Sequence, residues 1–154
     1  MEYNLFGRTG VQVSQLVLGC MMFGQKTDLD DTCRIVDRAI DEGINFLDTA
    51  DVYGGGASED FLGEALKRNS KRDRIFLATK VNGRMSDDPN DIGNSKLHIV
   101  NGLEASLKRL KTDHIDLYQL HRPTSHIAID ETLRAMDDLV SSGKIRYAGT
   151  SNFG

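Results

Sequence analysis

Four residues with complementary proton chemistry stand just beyond short apolar runs. Asp48 follows Ile44-Asn45-Phe46-Leu47, Lys80 follows Ile75-Phe76-Leu77-Ala78-Thr79, and His121 follows the run ending at Leu120. Tyr53 lies five residues past Asp48, in the stretch DTADVYG. A phenol ordinarily titrates near pH ~10, too high for an efficient proton donor at neutral pH. A nearby ammonium favours the phenolate and lowers that value, and Lys80 could supply it. An ammonium in a partly dry pocket needs a counter-charge, which Asp48 offers. A neutral His121 could donate a hydrogen bond to a carbonyl oxygen, orienting it and stabilising developing negative charge. The set would protonate an oxygen while the adjoining carbon is reduced. No side chain is a hydride source, so a cofactor must carry that part.

Each residue has an ordinary alternative. An aspartate at a strand end is most often a turn former. A lysine there is more often a solvated charge, and a lone histidine a satisfied structural one. A tyrosine can anchor a loop with its hydroxyl wet. The joint occurrence outweighs these, because four accidents would have to deliver matching groups to one face of one sheet.

The elements that must position the set repeat one unit. A helix is predicted over about Asp31–Glu42, burying Ile35, Val36, Ala39 and Ile40 and ending at Gly43 as a left-handed cap. A strand at Ile44–Leu47 follows. The next helix begins near Ser58, whose hydroxyl is expected to cap it, and buries Phe61, Leu62, Ala65 and Leu66. Then come a strand at Arg74–Thr79, a helix over about Ser95–Lys111, and a strand at Ile115–Leu120. A helix over about Asp130–Ser142, burying Leu133, Met136, Leu139 and Val140, leads to a last strand at Lys144–Ala148. Helices of this length suit crossovers between parallel strands, so the alternation predicts a parallel α/β sheet. The opening differs: Tyr3–Phe6 and Val11–Val13 read as a hairpin across Gly7–Gly10, with Gln15–Leu18 as the first parallel strand. In such sheets ligands bind beyond the carboxyl ends of the strands. Phe46, Phe76, Ala78 and Leu117, together with Ile44 and Gln119, are expected to share the interior face with Asp48, Lys80 and His121.

Composition narrows the classes. The chain has 154 residues, 27% of them charged, with net charge −4, which gives no electrostatic footprint for nucleic acid. No apolar stretch approaches the roughly 20 residues of a membrane span, and the start lacks a secretory pattern. Two cysteines, Cys20 and Cys33, argue for a reducing cytoplasm rather than a disulfide framework. No Cys/His spacing suggests a metal. The run GGGASE at 54–59 lacks the spacing of a phosphate-binding loop and is read as the support of Tyr53. Glu59, Asp60 and Glu64 are read as a solvated helix face, His126 as a surface residue, and 82–94 as a mobile loop bordering the substrate pocket.

The stretches LFGRTGVQVSQLVLGCMMFG, FLDTADVYGGGASEDFLGEAL, LATKV, DLYQLHRP and SGKIRYAGTSNFG run in order through a chain that resembles the aldo-keto reductases. It looks closest to the branch of bacterial and fungal enzymes that includes potassium-channel β-subunits. The resemblance implies a (β/α)8 TIM-barrel-type fold, with residues 1–154 as the N-terminal part of a single barrel domain. It implies Tyr53 as proton donor, Lys80 and Asp48 as its tuners, and His121 as the residue that orients substrate. It implies NADPH as cofactor, with Ser151 and Asn152 on the nicotinamide carboxamide and Cys20, Met21 and Asp48 bordering it. A small-molecule carbonyl compound would be the substrate, and the opening hairpin would close the bottom of the barrel.

Such a barrel has eight strands and typically about 250 residues, whereas about five parallel strands are legible here. Exposed sheet edges would invite self-association. Two other readings therefore stand beside a reductase: a nicotinamide-sensing regulatory subunit, and a non-catalytic half-barrel that assembles with itself.

Overall fold

The computed structural model describes residues 1–153. The chain opens with an antiparallel hairpin, β1 (Tyr3–Leu5) and β2 (Gln12–Ser14). Then follow β3 (Leu18–Gly19), α1 (Leu29–Asp41), β4 (Phe46–Asp48), α2 (Ala57–Asn69), β5 (Phe76–Val81), α3 (Lys96–Leu110), β6 (Ile115–Leu120), α4 (Ile129–Ser141) and β7 (Ile145–Thr150). Strands β3 to β7 form one parallel sheet in sequence order. The four helices back its outer face, so the fold is a partial (β/α) barrel with five of the parallel strands.

Local chemistry sets the helix ends. The Asp28 side chain caps α1 by accepting the Asp31 N–H at 2.8 Å, and Gly43 takes φ +88° beyond its end. Ser95 caps α3 by accepting the His98 N–H at 3.2 Å, and Lys111 closes it in the left-handed conformation. The expected cap at Ser58 is not formed. Helix α2 starts one residue earlier with Gly56 in the cap position, which puts Ser58 inside the first turn. Its hydroxyl bonds Cys20 O at 2.7 Å and meets Thr49 Oγ1 at 2.8 Å.

Two apolar layers flank the sheet. The larger joins Leu47, Leu77, Tyr118 and Leu120 of the strands to Val36, Leu62, Leu103 and Leu139 of the helices. Fully burying one such side chain contributes roughly 1.5–3 kcal/mol. The smaller layer lines the concave face with Phe76, Ala78, Leu117, Phe46 and Tyr147. The hairpin plugs its lower end: the Phe6 ring lies 5.0 Å from Phe76, 6.1 Å from Phe46 and 6.1 Å from Tyr147.

Several expectations shift. The first parallel strand shrinks to Leu18–Gly19, because Ser14 Oγ bonds Leu16 O at 2.6 Å and turns the preceding segment. Ile44 packs with the helix-side layer, its N–H still bonded to Ala39 O as the chain leaves α1. Ile35 is exposed. Helix α4 is rotated from its predicted face: Thr132, Ala135, Met136 and Leu139 are buried, while Leu133 and Val140 are exposed. The two ends of the 82–94 loop are tied to each other and to Thr124. Asn82 Nδ2 donates to Asn94 Oδ1 at 3.0 Å and to Thr124 Oγ1 at 2.9 Å, and the Gly93 N–H bonds Asn82 O.

Candidate active site

Parallel pairing brings the strand ends to one rim. Asp48 stands opposite Gly19 and Ala78, Lys80 opposite Gln119, and Leu120 opposite Thr150. Because side chains alternate along a strand, Asp48, Lys80 and Gln119 continue the concave row of Phe46, Phe76, Ala78 and Leu117.

Lys80 is 6% exposed, and its ammonium donates to Asp48 Oδ2 at 2.5 Å and to Thr49 O at 2.8 Å. An ammonium has three donors, so these bonds anchor it and leave one N–H. The same nitrogen lies 5.2 Å from the centroid of the Tyr53 ring. Gln119 Nε2 donates to the other Asp48 oxygen at 3.3 Å, so the carboxylate is held from two strands. Across the mouth, the His121 ring meets Tyr53 edge-on, with centroids 5.7 Å apart and planes at 83°. His121 titrates below its ordinary range: burial disfavours the cation first, and the Lys80 and Arg122 charges add to that. Near pH 7 its imidazole is therefore a neutral hydrogen-bond donor.

Tyr53 opens a short turn, Tyr53–Gly56, beyond β4. The turn has three consecutive glycines with positive φ, at 61°, 63° and 102° for Gly54, Gly55 and Gly56. Side chains rarely adopt those angles, which explains the glycine run without any phosphate.

The other predicted residues fall around this rim. The Ser151 N–H bonds Leu120 O at 2.9 Å. Asn152, at φ +58°, donates from Nδ2 to His121 O at 2.9 Å and to Ser151 Oγ at 3.0 Å. Its amide N–H groups are thus engaged, and Oδ1 remains as an acceptor. Cys20 is fully buried in the helix-side layer, with Sγ 3.5 Å from Leu18 O, and burial pushes its thiol well above the ordinary range. What Cys20 gives the rim is backbone: its N–H bonds Asp48 O at 2.8 Å. Met21 is half exposed.

The reading of Glu59 as solvated is overturned. Glu59 is fully buried, bonded by Thr79 Oγ1 at 2.5 Å and by Arg109 Nε at 2.7 Å. A signal for this was present in the sequence, since Glu59, Leu62 and Leu66 share an i, i+3, i+7 stripe that faces the core. Asp60 is exposed as expected, and Glu64 pairs with Arg68 and Lys111 at the surface. Asp51, two residues before Tyr53, is also fully buried. Burial, then the Glu59 charge, pushes its carboxyl up to about 7. Among the described residues no cluster of His, Cys, Asp and Glu suits a metal ion, and no helix is long and apolar enough to cross a membrane.

The Aldo/keto reductase family profile matches residues 15–154. The chain is 46% identical over 162 residues to an uncharacterized oxidoreductase, YrpG, of Bacillus subtilis, covering 99% of this chain and 50% of that protein. It is 38% identical over 155 residues to a probable voltage-gated potassium channel subunit beta of Arabidopsis thaliana, covering 99% and 47%. The solved holo form of aldo-keto reductase AKR11C1 from Bacillus halodurans superposes with a TM-score of 0.89 at 43% identity, covering 99% of this chain and 51% of that one. The chain therefore spans about half the length of the relatives it matches.

Proposed function

Because the chain belongs to the aldo/keto reductase family, we propose that it supplies the proton-transfer centre of an oxidoreductase that reduces aldehydes or ketones with NADPH. In this reading residues 1–154 form the N-terminal part of one barrel domain. One observation carries it: the Lys80 ammonium, fixed between Asp48 and Thr49, stands 5.2 Å from the Tyr53 ring centroid, with neutral His121 on another side of the same ring.

A nicotinamide cofactor, when bound, would provide the hydride that the carbonyl carbon needs. His121 donates a hydrogen bond to the carbonyl oxygen and holds it near the Tyr53 hydroxyl. Tyr53 gives its proton to that oxygen as negative charge develops there, and the Lys80 charge steadies the phenolate left behind. Asp48 keeps the ammonium ionised and in place. Ser151 and Asn152 would hold the nicotinamide carboxamide. The free Asn152 Oδ1 fits that group, whose NH2 needs an acceptor, while Asn152 Nδ2 is already engaged. Cys20 and Met21 would border the cofactor. Two free cysteines support a reducing cytoplasmic setting.

The test is Tyr53→Phe in the protein that carries this chain. Carbonyl reduction should fall by at least about 10²-fold while the Kd for NADPH is unchanged; retained turnover refutes the proton-donor role. For the 154-residue chain by itself, weak or absent enhancement of NADPH fluorescence is expected. Saturable micromolar binding would instead locate the cofactor grip in these five strands.

A second reading, a cofactor-sensing regulatory subunit, is favoured by the similarity to channel β-subunits. It predicts capture of a protein partner that depends on cofactor, which a free enzyme would not show.

A further inference from the structure

The ion pair between the buried Glu59 and the partly buried Arg109 lies directly beneath the turn that carries Tyr53. Glu59, the third residue of α2, sends its carboxylate into the core. One oxygen takes the Thr79 hydroxyl and the other takes Arg109 Nε. Thr79 immediately precedes Lys80 on β5. Arg109, near the end of α3, rests its stem against the turn: a Cβ at Gly56 would fall 2.9 Å from Arg109 Cδ and 3.2 Å from Nε. Arg109 Nη2 is steadied by Ser106 Oγ at 3.4 Å.

The turn needs such a support. Three glycines in sequence have wide conformational freedom to lose on folding. The turn's own ties are the Tyr53 N–H to Ala50 O at 3.2 Å, the Gly55 N–H to Val52 O at 3.1 Å, and the Ala57 N–H to Tyr53 O and Gly54 O at its end. Beyond them, Arg109 meets the Gly56 end. A buried ion pair adds little stability compared with apolar residues of equal volume, but its bonds are directional. One carboxylate fixes both the strand beside Lys80 and the guanidinium beneath Gly56.

We propose that Glu59 and Arg109 are positioning residues. They set the height of the Tyr53 ring over the Lys80 ammonium and its edge-on contact with His121. The catalytic meaning of this rests on the reading of Tyr53 as proton donor; the positioning itself does not.

The test uses Arg109→Met, which keeps length and removes the charge, Arg109→Lys, which keeps a charged donor, and Gly56→Ala, which forces the turn off Arg109. The first readout is the imidazole NMR signal of His121, assigned with His121→Gln, because an aromatic ring 5.7 Å away displaces it. Arg109→Met and Gly56→Ala should move this signal in the same direction as Tyr53→Ala. Arg109→Lys should recover about half of the shift, and the His114 signal should stay in place. An unmoved His121 signal in folded Gly56→Ala or Arg109→Met overturns the proposal, as does a common displacement of all four histidine signals. The second readout is turnover, where kcat should drop about 10- to 100-fold with the cofactor KM unchanged. Wild-type protein without turnover removes the reductase reading and leaves the NMR outcome to decide the positioning. Full turnover in Arg109→Met beside an inactive Tyr53→Phe removes the positioning pair alone.

Discussion

The middle of the sheet and its two rims are built from the same strand–helix unit and are buried very differently. All six residues of β5 are buried, and β6 is buried at every position except the half-buried Gln119. By contrast β7 is exposed at Arg146, Ala148 and Thr150, and β3 is two residues long. The helices repeat the contrast. Helix α3 buries Ile99, Leu103, Leu107 and Leu110 between its neighbours and, of its large apolar residues, leaves only Leu97, in its first turn, exposed. Helix α4 leaves Ile129, Leu133 and Val140 exposed, and α1 leaves Ile35 exposed. Composition does not separate the two regions, since Ile145 and Tyr147 are as strand-like as Ile115 and Tyr118. What differs is the number of neighbours. Among the described residues an inner unit has one on each side, whereas a rim unit has one on a single side. The candidate site straddles the contrast, with Asp48, Lys80 and His121 fixed by central strands and Ser151 and Asn152 hanging from the rim strand β7.

The contrast can be broken at its strongest point by Leu103→Ala. Leu103 is 0% exposed in the middle of α3, and its truncation should cost about 2–5 kcal/mol in urea unfolding. A loss below ~1 kcal/mol would mean that the centre is no better packed than the rims.

Asp51→Asn sharpens the same comparison through pH. The folded-state value of Asp51 lies at about 7, above its ordinary 3.8, so the folded protein holds this proton where the unfolded chain has released it. The stability it contributes is whole below pH ~4 and is lost as pH rises through ~7. The Asn variant should therefore be more stable than wild type by roughly 4 kcal/mol at pH 8, with little difference at pH 4. Denaturation midpoints at the two pH values check this, and an equal offset at both would exclude the Asp51 proton as the cause.

The smallest effect belongs to the rim. Leu133→Ala, on the open stripe of α4, should change stability by no more than ~0.5 kcal/mol while reducing the binding of a hydrophobic dye. A core-sized loss there would show that the stripe is covered in solution, for instance by a second copy, and sedimentation of the two proteins would reveal it.

In the middle of the molecule β6 and α3 were legible in the sequence, whereas β5, expected over Arg74–Thr79, runs over Phe76–Val81 and takes Lys80 inside the strand. The limits of β6 and the caps of α3 follow directly from the letters, because long periodic runs flanked by Ser95 and Lys111 leave few alternatives. Legibility fails where geometry depends on a distant neighbour. The face of α4 is set by Thr132, whose hydroxyl bonds Asn94 O at 2.8 Å, and no pattern within the helix announces that. Glu59 was misjudged because charge was given more weight than the periodicity it shares with Leu62 and Leu66. The four strand-end residues were legible from their places in sequence. Gln119 was legible as a residue of that face but not as a donor to Asp48, and Thr49 was not legible at all, because it acts through a main-chain carbonyl.

The Phe6 plug has a consequence for biogenesis. Phe6 touches Tyr147, about 140 positions away, and at ~5–20 residues per second the ribosome needs on the order of ten seconds to span that gap. Until then this hairpin has no complete floor to close, and its aromatic ring waits in water. The entropic penalty of so long a closure grows only slowly with length, so the delay is one of timing more than of free energy. Clipping residues 1–14 from the finished protein would uncover Phe46, Phe76 and Tyr147 together, handing chaperones and proteases an apolar signal at the end of the barrel opposite the rim of Tyr53.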